Sequence, residues 1–275
     1  MNAHSSPSSL SPVLLILKGA SDEELNSPTA KKVVAVANKT NLSIVCETIS
    51  TDDDDGHEEL KKLSHLTKSL VLLVYFNSTN TIDEVNDDNS NNDDDEQPIC
   101  ITTSRAMLRM IATINDDTSI TARHSGNKND QLYLLGKSVV EDAIIDGWLS
   151  FIWISIELPL QALLSSSSSS SSSSKRTSST VIEKQEIENK LESALKTIER
   201  HLSKNNYTKS HNNDHENDLY MVGIDGYTLA DYSLAISLYY MVSNDIAISS
   251  IMTSEKNPQL YLWYQTIRPT IIDYI

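Results

Sequence analysis

The hydrophobic pattern changes period part-way along the chain. In the first hundred residues, short apolar runs alternate with helical spacing. The runs 13-VLLILK-18, 42-LSIVCETI-49 and 70-LVLLVYF-76 read as strands rich in branched side chains, and 28-PTAKKVVAVANKT-40 reads as a helix with Pro28 in its first turn. A short helical piece is expected around Leu60 to Leu66 and a further strand at 98-PICIT-102. A packed helix is expected over 103-TSRAMLRMIATI-114, where Ala106, Leu108, Met110, Ile111 and Ile114 recur at helical intervals. The order is β-α-β with more sheet to follow.

The second half is helical throughout. Across 138-SVVEDAIIDGWLSFIWISIELPLQALL-164 the positions Val140, Ala143, Ile144, Trp148 and Ile152 follow helical spacing, and Pro159 is expected to kink or end that helix. Further on, Ile187, Leu191, Leu195, Ile198 and Leu202 form one apolar stripe, and Glu192 and Lys196 stand four apart on the charged face. Four segments have too few apolar residues to offset the entropy of ordering: the tail 1–12, the acidic tract 83–96, the serine run Ser165–Ser174 within a serine-rich insertion 165–180, and the polar tract 205–218. These are expected to be disordered loop expansions, leaving one domain over 13–115 and another over 132–275.

Charge changes the picture less than its total suggests. The formal net charge is -16, but six acids lie between Asp52 and Glu59 and eight between Asp83 and Glu96, with no Lys or Arg in either stretch. The remainder is close to balanced. No basic face is visible, and acidic tracts repel phosphate, so direct nucleic-acid binding is not expected. Cys46 and Cys100 match no zinc or redox spacing and sit in apolar strand-like runs, where buried reduced thiols are expected. The first residues lack a basic segment, and 13-VLLIL-17 is too short for a signal or a membrane span. A soluble, cytoplasmic protein is expected, with no membrane contact.

One stretch, 223-GIDGYTLADYSLAISLYY-240, places a single acid at the head of an almost wholly apolar helix. With Thr228 as N-cap, its hydroxyl accepts from the Asp231 N–H while the Asp231 carboxylate accepts from the Thr228 N–H, and Tyr227 and Tyr232 stand where a hydrophobic staple belongs. Thr228 and Asp231 are therefore expected to be a structural helix cap rather than catalytic groups.

Met221, Val222 and Gly223 followed by Thr-x-x-Asp at the head of a buried helix resemble the carboxy-terminal domain of the glutathione transferase superfamily. The segment 133-YLLGKSVVEDAIIDGWLSF-151 resembles the family's Tyr-Gly, acidic-helix and Trp pattern, and 257-NPQLYLWYQTIRP-269 resembles its late Pro-to-Trp helix. Similarly, 103-TSRAMLRMIA-112 and 27-SPTAKKVVAV-36 are similar to helices of the amino-terminal half. The resemblance implies a degraded α/β thioredoxin-like domain followed by an all-α helical domain. Members that use glutathione have a proline before the third strand; 66-LTKSLVLLVYF-76 has none, and Pro98 lies beyond the acidic tract. Thr103 replaces the family's Glu or Gln, which leaves Ser104 as the remaining candidate for glutathione binding. Ser27 is the one hydroxyl placed to hold a thiolate, although serine before proline at a helix start is ordinarily a cap.

The cluster 211-HNNDH-215 lacks a preorganised fourth metal ligand, so no metal is expected. The resemblance is strongest to non-enzymatic relatives: the appended domain of cytosolic glutamyl-tRNA synthetase and the gamma subunit of the elongation factor complex. It implies a non-catalytic module without a cofactor that pairs with similar domains or translation factors as a homo- or heterodimer. The alternative it implies is a divergent transferase conjugating glutathione to electrophiles, with Ser27 as the catalytic hydroxyl.

Overall fold

The computed structural model describes residues 14–19, 21–48, 70–75, 99–101, 103–122, 133–168, 178–209, 219–222, 226–244 and 252–272. The chain divides into two compact units, Met1–Gln131 and Leu132–Ile275.

The first unit is built on a four-stranded sheet in the order β2-β1-β3-β4. Strand β1 (Leu14–Gly19) runs parallel to β2 (Ile44–Thr48) and antiparallel to β3 (Val71–Tyr75), which pairs antiparallel with β4 (Ile99–Ile101). Leu70 to Val74 are all buried, as a strand covered on both faces requires, and this explains its unbroken apolar run. A four-residue helix α1 (Asp22–Leu25) precedes α2 (Pro28–Lys39), which delivers the parallel crossover from β1 to β2. Thr40 closes α2 by donating its hydroxyl to the carbonyls of Val36 and Ala37, and Asn41 takes the left-handed conformation (φ 56°) that turns the chain toward β2.

Helix α3 (Ser104–Ala122) packs against α2 with Met107, Leu108, Ile111, Ala112 and Ile114 buried, whereas the expected core position Ala106 is exposed. Cys46 departs from expectation too. It is exposed on β2, an edge strand whose later residues all face outward; even so, partial burial raises its thiol pKa, with Lys31 opposing. Cys100 lies in β4, and its side chain falls outside the described residues, as do Leu60–Leu66 and the acidic tract 83–96.

The second unit is helical. Helix α4 (Val139–Ile152) starts at Ser138, whose hydroxyl accepts from the Glu141 N–H, and leads through a π-turn (Trp153–Glu157) into α5 (Leu158–Ser168). Pro159 does not end the helix. The widened turn just before it eases the clash a proline makes with the carbonyl four residues back, and the helix runs on. The buried face also differs from the one expected: Ile145, Leu149, Ile152, Ile156, Leu160 and Leu163 face the core, while Val140, Ala143 and Ile144 face outward. By length and composition alone Val139–Leu164 is apolar enough to cross a membrane, but this inner stripe packs on protein.

Helix α6 (Ser178–Lys209) carries its stripe as expected, with Leu191, Leu195, Ile198 and Leu202 fully buried, and Lys196 contacts Glu192 at 2.7 Å. That lysine's hydrogen bond and charge hold the Glu192 carboxyl below its usual range. Two expected loops are partly helical: α5 continues into the serine run as far as Ser168, and α6 reaches Lys209, inside the polar tract. Once a helix is propagating, each added residue gains a hydrogen bond, and neither Ser nor Asn costs enough to stop it.

Helix α7 (Leu229–Ser243) is the centre of the unit, packed by α4 and by α8 (Pro258–Ile272). Every residue from Leu229 to Leu238 is buried. The polar ones are satisfied internally: the Ser237 hydroxyl donates to the Ser233 carbonyl, and the Ser233 hydroxyl donates to Glu157. The first turn of α8 is capped from another helix. Glu199 on α6 accepts from the Gln259 N–H (3.3 Å) and the Leu260 N–H (2.8 Å). Replacing it, Glu199→Ala, should lower the free energy of unfolding by about 1 to 2 kcal/mol in a urea titration, and Glu199→Gln should recover part of the loss. A loss of only a few tenths would mean that water satisfies that helix end unaided.

Candidate functional site

The most connected polar group in the second unit is the Asp231 carboxylate, which is fully buried. Helical phase places it in the first turn of α7, three residues after the N-cap Thr228, and the two residues form a capping box. The short hydrogen bonds all end on the carboxylate. Oδ2 accepts from the Thr228 N–H (2.9 Å) and the Thr228 hydroxyl (2.8 Å), and Oδ1 accepts from the Met221 N–H (2.8 Å) and the Trp263 indole N–H (3.1 Å). Burial pushes the carboxyl upward from its ordinary pKa, and these four donors, the backbone ones foremost, favour its ionised form.

The same turn is held from its other side. The carbonyl of Met221 accepts from His201 on α6, which fixes the proton on Nε2, and the carbonyl of Tyr220 accepts from the Asn205 amide (3.2 Å). The Trp148 ring lies over His201 with centroids 4.4 Å apart. Tyr227 meets both Tyr220 (5.1 Å) and Tyr232 (6.3 Å) edge to face, the second contact closing the N-terminal staple. Four helices therefore converge on two residues of irregular backbone. The four bonds to Asp231 are buried, and those of His201 and Asn205 are part-buried. The arrangement is a joint that orients helices around an enclosed carboxylate.

The residues considered for glutathione are in the first unit and are not brought into comparable order. Ser27 is the N-cap of α2, with its hydroxyl accepting from the Ala30 N–H at 3.3 Å. Ser104 opens α3, where the neighbouring Thr103 hydroxyl accepts from the Ala106 N–H at 3.4 Å. Strand β3 follows a segment with no proline. Among the described residues no three His, Cys, Asp or Glu side chains are grouped to hold a metal; 211-HNNDH-215 lies outside them.

Sequence reasoning reached Thr228 and Asp231 but missed the partners Met221, Trp263, His201 and Asn205. Trp263 left a trace: a buried indole needs an acceptor, and an apolar helix such as 261-YLWYQTI-267 supplies none of its own.

No protein-family model and no curated protein sequence matches the chain. Solved structures do. Ure2p in complex with glutathione is similar with a TM-score of 0.66 at 14% identity, over 96% of this chain and 93% of that one. Poplar glutathione transferase F1 is similar at 0.59 and 18% identity, over 96% of each. A glutathione transferase family member from Pseudomonas fluorescens Pf-5, with two glutathione bound, is similar at 0.60 and 15% identity, over 94% of this chain and 91% of that one. The chain has the glutathione transferase fold. Within that fold, the Asp231 joint belongs to the helical unit, and the mixed sheet with its α2 crossover is the thioredoxin-like unit.

Removing single donors tests the joint. Trp263→Phe keeps a ring in the core and deletes one hydrogen bond to a charged group, which should cost about 1.5 to 3 kcal/mol; Asp231→Ala should cost at least as much, because it orphans four donors. In the Asp231→Ala background, Trp263→Phe should cost far less than it does alone. Equal costs in both backgrounds, read from chemical unfolding, would show that the indole and the carboxylate are not energetically coupled.

Proposed function

We propose that this chain is a non-catalytic protein-interaction module of glutathione transferase fold, working in translation assemblies beside other such domains of the kind found in aminoacyl-tRNA synthetases and the elongation factor complex. The observation that carries this reading is the contrast between the two units. The helical unit keeps a fully satisfied joint, whereas the positions expected to bind glutathione are lost or already engaged: Ser27 caps its own helix, and no proline precedes β3. The Ser27 hydroxyl accepts from the Ala30 N–H, as an ordinary helix cap does. The reading places the protein in the cytoplasm, without cofactor and without direct contact to nucleic acid, which its two acidic tracts disfavour.

A second reading, a divergent transferase conjugating glutathione to electrophiles through Ser27 with Ser104 at the peptide site, is favoured by the glutathione bound in several of the similar structures. Two measurements separate the readings. On immobilised glutathione the full chain should pass unretained, and it should not accelerate conjugation of glutathione to an aromatic chloride. Retention with turnover that Ser27→Ala abolishes would establish the transferase. Affinity capture from native extract, followed by mass spectrometry, should recover synthetases or elongation-factor subunits; capture without any translation protein would remove that part of the proposal.

A further inference from the structure

We draw no further inference here: the strongest candidate, the open edge of strand β2 in the first unit, where Val45, Cys46, Glu47 and Thr48 are exposed, carries none because nothing in the structure shows what covers it.

Discussion

A carboxylate removed from water must be surrounded by donors, and the second unit is organised around meeting that demand at Asp231. One donor pair comes from its own helix end, one from the Met221 backbone ten residues earlier, and one from an indole thirty-two residues later. None of these groups has another carboxylate to turn to, so α7, the Met221 turn and α8 have to arrive in one arrangement. The geometric demand of an ion in a low-dielectric interior fixes the packing more narrowly than apolar contact does, since apolar side chains tolerate small rearrangements. His201 and Asn205 add the same constraint from α6, by occupying the carbonyl side of the turn whose amide side Asp231 occupies.

That economy gives the Asp231 cluster a structural role. Catalytic carboxylates and histidines keep a lone pair or a proton available to a substrate, and they sit in clefts. Here the acid accepts from two backbone amides, a hydroxyl and an indole, and the imidazole Nε2 donates to a backbone carbonyl. This polar cluster holds α6, α7 and α8 together.

The cap was legible in sequence because its two halves are three residues apart, within the reach of a local rule. Trp263, His201 and Met221 were not, because their distance in sequence says nothing about proximity without the tertiary fold. The long helix after Ser138 failed differently. It is apolar nearly all round, so two helical stripes fit the spacing equally well; of the stripe chosen from sequence, Val140, Ala143 and Ile144 are exposed, Trp148 is half-buried and Ile152 is buried as expected. Pro159 was expected to kink or end the helix, and of these the ending did not occur: periodicity assumes α geometry, to which a π-turn is invisible. Cys46 was placed inside because its strand is apolar in composition; the order β2-β1-β3-β4 puts that strand at an edge.

The capping of α8 by Glu199, together with the Trp263 bond to Asp231, has a consequence for synthesis. As the chain leaves the ribosome, α6 and α7 are complete well before the helix that supplies Gln259, Leu260 and Trp263. Until those residues emerge, Glu199 gains nothing from folding, and burying Asp231 leaves one of its oxygens short of a donor. The helical unit can therefore complete these two sets of hydrogen bonds only after α8 has emerged, so its final packing follows the synthesis of that helix.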